Sequence, residues 1–233
     1  TPHAVLMAAE LLSKGYGVES GLGDLMLVDV GGATTDVYSL AEGLPKLANA
    51  VLSGLEEPFA KRTVEGDLGM RYSALCILQS LQPSEISYYE KQGFSVRDAC
   101  QLRHEDVSFL SETEKEIDED EKLASICIDK AISRHVGTIK SVYTPMGLMY
   151  HQIGKDLTQT KYFIGTGGVI VNSKHPENML KSGLIKKELA HELRPNHPTF
   201  MVDQDYILSA MGLLSLSHPE IALNILKKRM KTI

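Results

Sequence analysis

Val28-Asp29-Val30-Gly31-Gly32-Ala33-Thr34-Thr35-Asp36 is the stretch on which the reading of this chain turns. It ends a continuous apolar run, Leu25–Val30, broken only by Asp29 and of the length of a strand buried on both faces. The next stretch, Asp36–Leu40, is again strand-like. Strand, Gly-Gly turn and strand predict an antiparallel hairpin. Gly31 and Gly32 remove side chains at the bend, so backbone N–H groups can approach an anion closely. Thr34 and Thr35 add hydroxyl donors. Asp29 and Asp36 bracket the turn with two carboxylates, hard oxygen groups suited to the water around Mg2+. Phosphate donors beside paired carboxylates are what a magnesium nucleotide needs. A plain hairpin with solvent-facing polar residues is disfavoured, because a fixed D-x-G-G-x-T-x-D pattern is a rare accident at average residue usage.

A second glycine-rich turn lies downstream, Ile164-Gly165-Thr166-Gly167-Gly168-Val169-Ile170. It follows the apolar stretch Lys161–Ile164 and precedes a helix expected near Pro176. Alone it is a weak signal. The glycine spacing and the lack of a following acid exclude a Rossmann fingerprint.

Around these turns the chain reads as one large domain or two small ones, with 233 residues and 25.6 kDa. Apolar residues make up 43% and charged residues 23%, which is ordinary for a globular protein. The 30 acids and 24 bases give a net charge of −6, which argues against a general nucleic-acid-binding surface. No apolar run approaches a membrane span, and no signal peptide opens the chain. Cys76, Cys100 and Cys127 form no CxxC pair, which points to buried thiols in a reducing, cytoplasmic setting. The eight histidines show no metal spacing, and His191 and His197 read as surface residues. No Gly-x-Ser-x-Gly elbow supports a serine hydrolase, and no D-x-H-x-x-G pattern supports cobalamin binding.

The remaining periodicity sketches an α/β fold. Residues 2–14 carry Pro near the start, an Ala/Leu run and Gly15 past the end, as a helix should. Residues 41–66 read as loop, and Asp67 as the cap of a helix from Leu68 to about Leu81. Short helices are expected over Ser84–Lys91 and Ser95–Arg103. An amphipathic helix with an acidic first half follows from residue 112, its acidic run read as a solvated face. Thr138–Ile153 reads as two strands around Thr-Pro-Met-Gly, joining either the sheet or the helical stretch. A strand at Thr199–Asp203 and helices at Tyr206–Leu216 and Pro219–Lys231 close the chain. Met26, Met146, Met149, Met201 and Met211 sit in apolar stretches and read as core filling.

VDVGGATTD resembles the second phosphate loop of the actin-like ATPase superfamily, which includes actin, the seventy-kilodalton heat-shock chaperones and sugar kinases. IGTGG is similar to that superfamily's adenosine loop. Residues 206–216, YILSAMGLLSL, resemble its second connecting helix, where an Ala-x-Gly patch permits close packing. The fuller wording, VDVGGATTDVYS with KRTVEGDLGMRYSA, VYTPMG, IGTGGVIVNS and DQDYILSAMGLLS, is similar to the MutL-type family associated with adenosylcobalamin-dependent glutamate mutase. That family is distinct from the mismatch-repair proteins of the same name. The resemblance runs from about Val28 to Leu226.

The resemblance implies an α/β, ribonuclease-H-like lobe: a mixed sheet with helices on both faces and a helical inserted subdomain. The expected division is core over residues 1–82, insert over 83–153 and core completion over 154–233. It implies ATP or ADP with Mg2+ as ligands. Asp29 and Asp36 would hold the metal through water and serve catalysis. Gly31, Gly32, Thr34 and Thr35 would contact phosphate, and Gly165, Thr166, Gly167 and Gly168 the ribose and α-phosphate. Asp205 would lie near the adenine. Glu65 and Asp67 lie where relatives start a helix beside the nucleotide.

The superfamily's first phosphate loop is not found. Thr1–Lys14 resembles the first connecting helix, so the chain is expected to be a C-terminal lobe that binds nucleotide poorly and hydrolyses little on its own. The function implied is an ATP-dependent chaperone or reactivating factor for glutamate mutase or a related adenosylcobalamin enzyme, without nucleic-acid or membrane partners. The alternatives are a small-molecule kinase or ATP-dependent amidohydrolase on the same scaffold, or a non-catalytic scaffold.

Overall fold

Leu25–Val30 and Thr35–Leu40 form adjacent antiparallel strands with Asp29 directly opposite Asp36, and the rest of the molecule is layered on this pair. The computed structural model describes residues 2–145 and 147–233. Expectations for Thr1 and Met146 fall outside the described residues. In chain order the helices and strands are α1 (Pro2–Lys14), β1 (Gly15–Tyr16), β2 (Glu19–Ser20), β3 (Leu25–Val30), β4 (Thr35–Leu40), β5 (Ala50–Leu52), β6 (Ala60–Glu65), α2 (Ala74–Ser80), α3 (Pro83–Lys91), α4 (Val96–Glu105), α5 (Glu114–His135), β7 (Thr138–Thr144), β8 (Gly147–Ile153), β9 (Tyr162–Thr166), α6 (Gly168–Val171), α7 (Pro176–Leu180), β10 (Thr199–Asp203), α8 (Leu208–Leu214), α9 (Pro219–Arg229) and β11 (Met230–Thr232).

The main sheet has six strands in the order β11-β10-β9-β3-β4-β6. Strands β3, β4 and β6 form an antiparallel meander, β9 and β10 run parallel to β3, and β11 closes the edge antiparallel. Side chains alternate across the strands. Met26, Val28, Val30 and Val37 face a core shared with α2, α4, α5, α6 and α7. Leu25, Leu27, Tyr38, Leu40, Ile164 and Met201 face α1, α8 and α9. A mixed sheet with helices on both faces is therefore the architecture.

Several local expectations are corrected. The stretch expected as loop contains β6, the sheet edge next to β4, and β5. Its charged residues Lys61, Arg62 and Glu65 hid a strand that is only half-buried. The helix expected from Leu68 begins at Ala74, and Asp67 does not cap it. Asp67 receives two hydrogen bonds from Arg134 instead, at 2.6 and 2.8 Å. Residues 138–153 join neither the main sheet nor the helices; β8 pairs with β7 on one side and β5 on the other in a separate three-stranded sheet.

The helical stretch follows its sequence signals closely. Ser95 accepts the Asp98 N–H at the start of α4, and Thr113 with Glu116 forms a reciprocal cap on α5. The second half of α5, through Leu123, Cys127, Ala131 and Ile132, is buried in the same core as the sheet. No helix among the described residues is long and apolar enough to cross a membrane.

The small-residue patch in α8 has the role its spacing suggested. A Cβ built on Gly212 would lie 1.8 Å from the Ala4 carbonyl oxygen of α1. Gly212→Ala should therefore push α1 and α8 apart and cost about 3 kcal/mol in urea denaturation, with overpacking as the cause.

His135 ends α5 in full burial, its ring nitrogens 2.9 Å from the Thr63 hydroxyl and 2.8 Å from Ser39 Oγ. Burial first, then the charges of Lys61 and Lys155, hold its pKa well below the usual histidine value. The unfolded chain thus takes up this proton first, and stability is lost as pH falls below the ordinary histidine pKa of about 6.5. Urea midpoints should fall between pH 7 and 5, and His135→Asn should weaken that slope while lowering stability at pH 7.

Candidate functional site

The Gly31–Thr34 turn is braced from behind. Gly31 N–H donates to the Thr34 carbonyl at 2.9 Å and closes the bend. The carbonyls of Gly31 and Gly32 accept from Met70, Arg71 and Tyr72 N–H groups at 2.8–3.0 Å. The Ala33 carbonyl accepts from Ser73 Oγ at 2.8 Å. A Cβ on Gly69 would lie 2.3 Å from the Ala33 carbonyl carbon, so residues 68–73 press directly onto the turn. The turn's oxygens are thus turned inward, while among the described residues the amides of Gly32, Ala33 and Thr34 make no backbone hydrogen bond. Free N–H groups on a braced turn are an anion-binding arrangement.

The second glycine turn is held against the first. Gly167 has φ 102°, and a Cβ there would lie 2.3 Å from the Val30 carbonyl oxygen. Only glycine fits on both counts. Gly167 then accepts from Ile170 and Val171 N–H as α6 begins. Gly31, Gly32 and Gly168 consequently line one cleft of about 570 Å³, together with Arg71 from the brace, Ile117, Asp120 and Glu121 of α5, and Tyr206.

Around the strand ends lies a row of polar residues. Asp36 sits opposite Asp29, Thr166 sits beside Asp29 on the other flank, and Thr166 Oγ1 donates to Asp203 at 3.3 Å. Strand alternation puts the row on the α1–α8 face, whereas the cleft opens on the α5 face. Tyr206 stands between them. It lines the cleft, and the charges of Asp29 and Asp203 add to burial in raising its phenol pKa. Its backbone holds φ 56°, a costly conformation for a bulky residue.

The carboxylates in the row differ in how they are satisfied. Asp36 accepts Arg62 Nε at 2.8 Å and the Thr34 hydroxyl at 3.1 Å. Asp203 caps the chain entering α8, accepting Ile207 and Leu208 N–H at 3.0 and 3.2 Å. Asp29 has no such compensation among the described residues. Burial, then the charges of Asp36 and Asp203, push it up to about 6. An under-compensated carboxylate beside a second one fits a divalent cation, and no three acidic, histidine or cysteine groups among the described residues converge as a direct cage. A cation here would be held through its water shell.

The remaining expected site residues lie elsewhere. Thr35 is fully buried on the opposite face and donates to the Leu68 carbonyl at 2.6 Å, so it supports the turn from within. Gly165 faces Ile170 and Leu180, where a Cβ would meet side chains at 2.9–3.0 Å. Asp205 points away to Arg229 at 3.4 Å. Glu65 pairs with Arg134. Asp203, Arg62, Arg71 and Tyr206 were not expected as site residues. Asp203 alone had a readable signal, as the polar residue ending an apolar strand.

Together these features define the chain as an α/β domain whose two glycine turns share a cleft on one face of the sheet, with a row of strand-end carboxylates on the other. It belongs to the MutL protein family, whose signature matches residues 1–230. It is 51% identical over 229 residues to Protein MutL from Clostridium tetanomorphum, an alignment covering 98% of this chain and 50% of that protein. The chain thus spans half the length of this curated relative.

Asp29→Asn tests the electrostatics. A carboxyl whose folded pKa is raised binds its proton more tightly when folded, so its contribution to stability is lost as pH rises through about 6. Asp29→Asn should stabilise the ligand-free chain by about 1–3 kcal/mol at pH 7.5, and the gain should shrink towards pH 4.

Proposed function

We propose that this chain is the nucleotide-binding lobe of an actin-like ATPase that acts as a chaperone or reactivating factor for adenosylcobalamin-dependent glutamate mutase. The observation that carries the ATPase part is the meeting of Gly31, Gly32 and Gly168 on one cleft, with the Asp29–Asp36 pair at the strand ends across the same turn on the other face of the sheet. The strand order, an antiparallel meander followed by two parallel strands, agrees with the ribonuclease-H-like lobe implied by the sequence resemblance. The mutase part rests on that resemblance and on family membership.

In this reading the base and ribose occupy the cleft, and the phosphates pass over the Gly32–Thr34 amides towards the carboxylate row. Mg2+, when bound, neutralises phosphate charge. Asp29 and Asp36 would hold its water shell. With its raised pKa near 6, Asp29 is still mostly ionised at neutral pH, and in this reading it would orient an attacking water or accept its proton. Arg62 fixes the Asp36 carboxylate, and Thr34 completes that orientation. Hydrolysis also needs groups from a facing lobe, and ATP turnover would move the lobes and loosen the partner enzyme.

The full-length protein should hydrolyse ATP without a small-molecule substrate, and Asp36→Ala should cut the rate at least about 100-fold, the scale for losing a group that orients a reactant. Mixed with inactivated glutamate mutase, ATP and fresh cofactor, it should restore mutase activity. ATP hydrolysis without any recovery would discard the reactivase role, and hydrolysis only with a small-molecule acceptor would favour a kinase.

A further inference from the structure

The cleft is lined mainly by apolar and neutral residues, with Asp120, Glu121 and Arg71 as its charged groups among the described residues. Among the described residues that line it, Arg71 is the sole basic side chain. Arg71 belongs to the brace: its N–H donates to the Gly32 carbonyl at 2.8 Å, and its Cβ and Cγ are the nearest side-chain atoms to Gly32. Its guanidinium donates to the neighbouring Met70 carbonyl at 2.8 Å, to the Phe109 carbonyl of the 106–113 loop at 3.3 Å, and across to the two Asp120 oxygens of α5 at 3.3 and 3.2 Å. One residue thus ties the anion-binding turn to the helical stretch.

Asp120 does not depend on that tie. It accepts a shorter bond from Arg103 Nε, 2.6 Å, and another from Ser111 Oγ, 2.7 Å. Arg103 is fully buried and is itself held by the Ala99 and Glu116 carbonyls. Burial alone would raise the Asp120 carboxyl. Hydrogen bonds from Arg103 and Ser111, then the charges of Arg103 and lastly of Arg71, hold it below the usual range. Withdrawing Arg71 therefore leaves a buried carboxylate still paired, and the usual penalty for orphaning such a group does not arise. The bonds from Arg71 are the longest that Asp120 accepts, and a phosphate is a stronger bidentate acceptor than a carboxylate already shared with Arg103.

We infer that Arg71 is an anion sensor: a phosphate-bearing ligand in the cleft draws its guanidinium from Asp120 and so uncouples α5 and the 106–113 loop from the glycine turn. This rests on the nucleotide reading above and adds the residue that reports occupancy to the helical stretch.

The test uses ATP with Mg2+ as the probe, calorimetric binding and hydrogen exchange on the full-length protein. Wild type should bind, and ATP should raise amide exchange over residues 106–120. Arg71→Gln should retain the wild-type circular dichroism spectrum, lose about tenfold or more in affinity and show no ATP-dependent exchange change there. Arg71→Lys, which keeps the charge without the planar fork, should fall between the two in affinity. Wild-type binding with unaltered exchange at 106–120, or unchanged affinity in Arg71→Gln, overturns the sensor and leaves the nucleotide reading standing. Absence of ATP binding by the wild type overturns both.

Discussion

The backbone approach on which the site depends is Gly167 against Val30. A side chain on Gly167 would stand inside the Val30 peptide, so the second turn can only sit where the first turn begins. Strand pairing enforces the same meeting, because β9 lies parallel to β3 with Thr166 beside Asp29. From that contact follow the shared cleft, the position of α6 and the row that runs from Asp36 to Asp203.

The site combines rigid support with unsatisfied chemistry. The glycine turn is fastened through its carbonyls by residues 68–73, which leaves its amides outward. The carboxylates of the neighbouring row are compensated unequally, with Arg62 on Asp36, backbone N–H groups on Asp203, and no hydrogen-bond partner on Asp29 among the described residues. Such imbalance costs stability in the empty chain and favours a cation with its anionic ligand. Tyr206, strained at its backbone and half-exposed between row and cleft, belongs to the same pattern.

Much of this was legible because local rules and tertiary demands agree. The hairpin, its glycines, the capped α4 and α5, and Gly212 in α8 follow from alternation, capping and small-residue spacing. What stayed hidden depends on partners far along the chain. Strand β6 reads as charged loop because Arg62 and Lys61 find partners in Asp36 and the His135 carbonyl. Asp67 resembles a cap until Arg134, a distant helix residue, claims it. Thr35 and Thr34 are neighbours in sequence, yet a strand sends adjacent side chains to opposite faces, so only Thr34 meets the row. Asp205 and Asp203 differ by two residues, and only the end point of β10 decides which of them is buried.

The central claim is that two turns separated by more than a hundred residues bind one nucleotide. Glycine-selective 15N labelling reads this directly, since Gly31, Gly32 and Gly168 line the same cleft while Gly54 and Gly93 do not. On titration with Mg2+ and ATP, the signals of Gly31, Gly32 and Gly168 should shift together with a single affinity, and those of Gly54 and Gly93 should stay still. Movement of one turn without the other, or of neither at saturating ATP, would contradict the account.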